Sequence, residues 1–504
     1  MSSDRPTRRH LLGALPAAAL AAQTTGMPAR PNILLVISDQ FRWDCIGAAG
    51  LNPMNLTPNL DQMASRGVLF RNAFCNQPVC APARASIFTG QYPAKHGVWK
   101  NAIGLPDDAV TFPKLLKQAG YSTNLIGKWH LGPPSETPAG TQPPTAPATP
   151  GSGTPYGRGA LPAVRIPPLA TRGPVKPQHR GGFLDLWEGA NELEWTSHAY
   201  EGDLYDGDGK AIHFSNRYRA DFMTDRAQLF LRSQAAKSPF LLTLSYLEVH
   251  HQNDRDTYDP PKEFEGRYPN PFIPPDLRPL PGSWPSQIAD YFACVAKMDE
   301  IMGTLRKTLV ETGLDKNTIV IFTSDHANHF RTRNAEYKRS PHESSIHIPL
   351  VIEGPGFNRG IQVPEFVSQV DYAPTLLSAC GLPFAPSMQG RNFLPLLDRK
   401  TDGWHNEVYF EMSEFVTGRG LRTPEYTYAI SAPKVPGWRG AANAEKYVEY
   451  VLYDNQADPY QHVNLAGRAP YQQVATGLRR RMLDRMKEAG DPAATIEPAW
   501  FPYS

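Results

Sequence analysis

Asn32-Ile33-Leu34-Leu35-Val36-Ile37-Ser38, followed at once by Asp39-Gln40, decides how this chain folds. The run is apolar and rich in branched side chains. It lacks the polar alternation of a half-exposed strand, so it predicts a strand buried on both faces. Two runs of the same character come later, Phe240–Tyr246 and Thr318–Thr323. Each ends in polar residues: Asp39-Gln40 after the first, Glu248 to Asn253 after the second, Asp325-His326 after the third. Helical patterns lie between them. Asn59 to Arg66 follows a Thr57 cap and a first-turn Pro58, and Ser286 to Glu311 ends near Gly313. Alternating strand and helix predict an α/β fold with a large, mostly parallel sheet flanked by helices. Ligands bind beyond the carboxyl ends of such strands, so three polar strand ends predict one shared site.

The 504 residues are 41% hydrophobic and 20% charged, enough for a large core and a few domains' worth of chain. A net charge of +2 gives no field that would select nucleic acid or a membrane surface. Residues 1–30 read as an export signal of the twin-arginine type, with Arg8-Arg9, an apolar run from Leu11 to Ala22 and small residues at Ala19-Leu20-Ala21. That run is too short to span a bilayer, and no other stretch approaches a span. The expected location is therefore periplasmic or secreted. Residues 31–400 are assigned to the main domain, with a Pro-rich insertion over 133–180 that cannot build a core. After about residue 400 short strands at Val408 to Glu411, Tyr426 to Ile430 and Tyr447 to Tyr453 precede a charged helix from Tyr471 to Ala489. These predict a smaller antiparallel α+β subdomain over 401–504.

The five cysteines, Cys45, Cys75, Cys80, Cys294 and Cys380, lack Cys-x-x-Cys spacing and form no dense disulfide framework. An odd count in an exported chain flags one unpaired thiol, expected at Cys80. Cys80-Ala81-Pro82-Ala83-Arg84, running on to Thr89-Gly90, places that thiol one helical turn from a permanent cation. Such a cation favours an anionic sulfur or an anionic ligand beside it. A buried, inert small hydrophobe is the ordinary alternative for a lone cysteine. Asp39, Gln40, Asp325 and His326 offer carboxylate, amide and imidazole donors from two buried strands, a set suited to a hard divalent cation.

Cys80-x-Pro-x-Arg84 followed by Thr89-Gly90 resembles the signature of the sulfatase family, within the alkaline phosphatase superfamily. The resemblance implies an alkaline-phosphatase-like fold. It also implies that Cys80 is a precursor, oxidised by a formylglycine-generating enzyme to formylglycine, whose hydrate is the nucleophile. It extends to Asp39-Gln40 and Asp325-His326, implying metal ligands Asp39, Gln40, Asp325 and His326 with an oxygen of modified Cys80. Calcium is the usual ion, with magnesium or manganese open. Gly127-Lys128-Trp129-His130 matches the next family motif and implies that Lys128 holds a sulfate oxygen and His130 contacts the formylglycine hydroxyl. His250 aligns with the family's Pro-His histidine, with Val249 in place of proline, and is the expected proton donor to the leaving group. His251 is a possible substrate contact. Lys338, five residues before Glu343, matches the second sulfate-binding lysine. Arg84 would orient the diol. Asp371 to Leu377 and the segment Leu452-Tyr453-Asp454 with Asp458-Pro459 match structural elements of the family.

The implied activity is hydrolysis of a sulfate ester on a small molecule or polysaccharide, most readily a carbohydrate. Trp187, Trp195 and His251-Gln252-Asn253 could stack on or hydrogen-bond to sugars, although aromatic residues are more often core. Two other readings share the fold: a phosphonate monoester or phosphodiester hydrolase of the same superfamily, and a non-catalytic binding protein.

Overall fold

The computed structural model describes residues 30–133, 173–234, 239–433, 435 and 440–499. The proposed signal segment, apart from Arg30, and most of the Pro-rich insertion lie outside the described residues. In chain order the strands of the main sheet are β1 (Asn32–Ser38), β2 (Val68–Phe74), β3 (Ser122–Lys128), β4 (Trp187–Ala190), β5 (Ser197–His198) and β6 (Glu201–Tyr205). They continue with β7 (Ala211–Ser215), β8 (Phe240–Tyr246), β9 (Thr318–Thr323), β10 (His347–Ile348), β11 (Leu350–Glu353) and β12 (Ile361–Ser368). Their order is β10-β2-β11-β9-β1-β8-β3-β4-β6-β5, with β12 beside β2 and β7 beside β6.

The five central strands, β9-β1-β8-β3-β4, are all parallel. Antiparallel neighbours close them off, β11 on β9 and β6 on β4, so the sheet is mixed with a parallel centre. β1 occupies the middle of that centre, Val36 lying between Leu244 and Phe322 in the register. Its side chains feed two cores in alternation. Ile33, Leu35 and Ile37 join the layer of helix Cys80–Thr89, while Leu34 and Val36 join the layer of helices Arg219–Ser233 and Trp284–Glu311. Full burial of such side chains contributes about 1.5–3 kcal/mol each, which is why no polar residue stands between Asn32 and Ser38 in this run. The first-turn proline starts helix Pro58–Arg66 as expected, but Thr57 does not cap it: its hydroxyl donates to the Cys45 carbonyl and accepts from the Gly47 amide.

The second sheet runs β13 (Val408–Met412), β14 (Gly418–Arg422), β15 (Tyr426–Ser431), β16 (Lys446–Asp454) and β17 (Thr495–Glu497). The first four are antiparallel and β17 lies parallel to β16. Helix Gln472–Ala489 buries Leu478, Met482 and Met486 against this sheet. β14 (Gly-Arg-Gly-Leu-Arg) has no strand-like pattern in the sequence. It is buried because its arginines are paired, Arg419 with Asp491 and Arg422 with Glu343. Gly420 admits the Phe410 ring, whose Cζ would lie 1.9 Å from an added Cβ.

The Arg422–Glu343 pair ties this sheet to the main domain. Arg422 and His347 outweigh burial and hold the Glu343 carboxyl down to about 2, against an ordinary 4.5. A depressed carboxyl contributes stability above its unfolded value, and that contribution is lost as pH falls from about 4.5 towards 2. Glu343→Gln is therefore expected to cost about 3 kcal/mol at neutral pH and almost nothing at pH 2. Urea midpoints at several pH values read this directly, and a constant difference would refute it.

Candidate active site

Helix Cys80–Thr89 is buried along its whole length, with Cys80 in its first turn and Arg84 one turn on. Gly90 ends it at φ 65°, a left-handed position that glycine adopts without strain. Residues at i and i+4 share a helix face, so thiol and guanidinium enter the site together. Arg84 donates from Nη2 to Asp39 Oδ2 at 3.2 Å and from Nε to Asp325 Oδ2 at 3.1 Å. Its Nη1 donates to the Lys128 carbonyl and to Ser245 Oγ. One fully buried fork thus joins the ends of β1, β3, β8 and β9.

With both Oδ2 atoms turned to Arg84, the Oδ1 atoms face His326. His326 Nε2 lies 3.5 Å from Asp39 Oδ1, 3.9 Å from Asp325 Oδ1 and 3.2 Å from Cys80 Sγ. The other ring nitrogen, Nδ1, donates to the Ala327 carbonyl at 3.0 Å, which leaves a lone pair on Nε2. Donor atoms of Asp39, Cys80, Asp325 and His326 all lie within 4.8 Å of one another and are buried. Two carboxylates and a correctly tautomerised imidazole fit a divalent cation. Burial and the neighbouring Asp39 push the Asp325 carboxyl up, the repulsion that a cation between the two would relieve. The Gln40 amide is engaged beside this set, its Oε1 accepting from the His251 amide and its Nε2 donating to the Tyr258 hydroxyl. Gln40 sits at φ 67°, as His130 does at 59° and Arg339 at 68°. Non-glycine residues in this region are uncommon and cluster at functional sites.

Lys338 donates to Cys80 Sγ at 2.8 Å and stands 3.0 Å from His326 Nε2. Lys128, at the end of β3, pairs with Asp39 Oδ2 and with Glu194 Oε2, each at 2.9 Å. Gly127 brings it there: at φ 109° it lies so near the Ser245 carbonyl that a Cβ would come within 2.2 Å. Burial alone would push the Cys80 thiol up, but the ammonium groups of Lys128 and Lys338 outweigh it and hold the thiol well below its ordinary value. The other four cysteines are also free and buried, so the unpaired thiol expected at Cys80 is one of five rather than a leftover from two disulfides. Cys45, Cys75 and Cys294 are pushed well up by burial, and only Cys80 is held down.

His130 reaches Cys80 and keeps Nδ1 unpaired among the described residues. His250 Nδ1 donates to the His251 carbonyl at 2.5 Å, so its Nε2 faces the pocket, 3.2 Å from the Tyr337 hydroxyl and 3.5 Å from Lys338. Burial pushes its pKa down against the upward pull of Asp39. His251 stands one layer out, Nε2 paired with Asp256 at 3.0 Å and Asp256 paired in turn with Arg331. Of the two readings open for Trp187, sugar stacking and core packing, the structure bears out the core: it is 1% exposed and covered by Arg180 at 4.7 Å. Sequence reasoning missed Glu194 and Tyr337. Glu194 lies in a short turn of helix after β4, where no motif marks it. Tyr337 is adjacent to Lys338, and that adjacency was the available signal.

The family described as Sulfatase matches residues 31–382, and the family described as N-sulphoglucosamine sulphohydrolase, C-terminal, matches residues 336–488. An ulvan-active sulfatase of Formosa agariphila is 27% identical over 482 residues, covering 92% of this chain and 82% of its own. An endo-4-O-sulfatase of Bacteroides thetaiotaomicron is 27% identical over 506 residues, covering 92% and 93%. Among solved structures, the sulfatase candidate yidJ of Bacteroides fragilis superposes with a TM-score of 0.75 at 25% identity, covering 94% of this chain and 98% of its own. The match spans the strand ends that carry Asp39, Cys80, Lys128, His250, Asp325 and Lys338, and on that ground this chain belongs to the sulfatase family, hydrolases of sulfate esters.

Proposed function

We propose that this protein is an exported sulfatase that removes sulfate esters from a carbohydrate, using a formylglycine formed from Cys80 and a bound divalent cation. One observation carries the reading: Cys80 Sγ is ringed by Lys338 at 2.8 Å, His326 at 3.2 Å and Asp39 at 3.9 Å, with both aspartates held by Arg84. The names of the relatives, active on ulvan and on 4-O-sulfates, support a carbohydrate substrate. Arg8-Arg9 and the apolar run behind them support export to the periplasm or beyond. That route carries folded proteins, which fits conversion of Cys80 by a formylglycine-generating enzyme before export.

Asp39, Asp325, His326 and Gln40, with an oxygen of the converted Cys80, would hold the cation, calcium being the first expectation. Hydrated formylglycine supplies the nucleophilic hydroxyl, and the cation supplies charge that acidifies it. The residues of the chain do the rest. Lys128 and Lys338 each offer an N–H to an ester oxygen and stabilise the charge that builds there. Arg84 keeps Asp39 and Asp325 oriented. His250 delivers a proton to the departing alcohol from Nε2, the nitrogen its bond to the His251 carbonyl leaves facing the pocket; a bound anionic ester adds to the upward pull of Asp39 on its pKa. His130, beside Cys80, accepts the proton released when the nucleophile is regenerated.

Chelation followed by added calcium, magnesium or manganese tests the cation set. The matching ion is expected to raise the unfolding free energy by about 2.7 kcal/mol at a hundredfold excess over Kd. Calorimetry showing no shift with any of the three would remove the cation from the account. The activity itself is tested by sulfate and phosphate release from sulfated sugars, aryl sulfates and phosphodiesters. Sulfate release from a sulfated sugar is expected. Phosphodiester cleavage with no sulfate release would favour the phosphonate monoester or phosphodiester reading.

A further inference from the structure

Among the described residues, Glu194 is a buried acid beside Lys128 that lies outside the cation set. Its carboxylate is buried and lies 2.9 Å from Lys128 Nζ. An ammonium has three N–H donors. Lys128 donates one to Asp39 Oδ2 and stands in an ion pair with Glu194 Oε2, whose geometry is not that of a hydrogen bond, so Lys128 keeps N–H capacity for a substrate oxygen. Lys128 and Lys338 reach the reacting group, and Arg84 completes the cations around it. Asp39 and Asp325 are committed to Arg84 and the cation. Glu194 therefore lowers by one the positive charge left over for substrate.

The esters that compete for such a site differ in charge. A sulfate ester carries one negative charge, as does a phosphodiester; a phosphate monoester near neutral pH carries two. In a water-poor pocket one extra unit charge is felt strongly. We propose that Glu194 is a specificity-determining residue, its carboxylate matching the pocket to a singly charged ester and repelling the doubly charged phosphate monoester. Rejection by a repulsive element is a common route to specificity. Lys128 outweighs burial and holds the Glu194 carboxyl down to about 2, so the charge is present at working pH. The assignment rests on the sulfatase reading.

The test compares a sulfate ester, a phosphate monoester and a phosphodiester that share one leaving group, using the converted, metal-loaded enzyme. Glu194→Gln keeps the shape and removes the charge. It is expected to raise the ratio of kcat/KM for phosphate monoester over sulfate ester by about tenfold or more. Glu194→Asp keeps the charge and is expected to hold the ratio near that of the unaltered enzyme. A second readout needs no turnover: in Cys80→Ala protein, calorimetric Kd values for phenyl phosphate and phenyl sulfate should shift in the same sense when Glu194→Gln is added. If Glu194→Gln lowers both rates together and leaves the ratio within about twofold, Glu194 only holds Lys128 in place and the proposal is overturned. If the enzyme cleaves the phosphodiester and no sulfate ester, the sulfatase reading falls. The diester, bearing the same single charge, then replaces the sulfate ester in the ratio, and Glu194 is judged on it.

Discussion

Cys80→Ala is expected to lower kcat/KM for every sulfate ester by about 10⁴-fold or more, because it removes the nucleophile rather than a group that assists it. The fold should survive. Alanine is smaller than cysteine, and Cys80 lies at the pocket face of its helix, where it contacts polar groups rather than a packed apolar layer. The unfolding midpoint should stay close to that of the unaltered protein, so lost activity cannot be ascribed to lost structure. The same substitution separates the two hydrolytic readings from the non-catalytic one. A sulfatase and a phosphodiesterase of this superfamily both lose turnover, whereas a non-catalytic binding protein has no turnover to lose. Stopped assays at high enzyme concentration would measure the residual rate, and full activity in Cys80→Ala would refute both hydrolytic readings.

Arg84→Ala is expected to have the largest effect on stability. Arg84 is fully buried, and its fork satisfies one oxygen of Asp39 and one of Asp325 while also holding Lys128 and Ser245. Removing it leaves two buried carboxylates facing each other, a loss of about 3–5 kcal/mol for a broken buried pair. Arg84→Lys should not restore the loss, since one ammonium on a shorter stem cannot reproduce the fork. A divalent cation should recover part of it by taking over the repulsion between the two aspartates. Urea midpoints with and without cation measure both effects. A loss below about 1 kcal/mol would mean that Arg84 is dispensable to the architecture.

The centre of the fold was legible because its strands are buried on both faces. β1, β8 and β9 are continuous apolar runs, and their predicted bounds match those observed. β3 carries no apolar run that predicts a strand, because Ser122-Thr123-Asn124 opens it with polar residues whose side chains find partners inside the protein. β14 was missed for the related reason that its burial depends on ion pairs with Asp491 and Glu343, remote in sequence. The same division holds at the site. Residues at strand ends or inside a local motif, such as Asp39, Cys80, Lys128 and Asp325, are marked by the sequence and its family resemblance, and the fold brings them together. Glu194 and Tyr337 are not so marked, because their roles follow from which side chains they meet: Lys128 for one, His250 and Asn253 for the other. For Trp187 the sequence leaves sugar stacking and core packing both open, and only the burial in the fold decides for the core.

The central claim is that Cys80 is a precursor and not a thiol catalyst. Mass spectrometry of the Cys80 peptide, from protein isolated from its native host, tests it most directly. The account predicts the mass of a residue in which an aldehyde replaces the thiol-bearing carbon, with a hydrazide probe labelling that peptide alone. An unmodified thiol at Cys80 in active protein would contradict it.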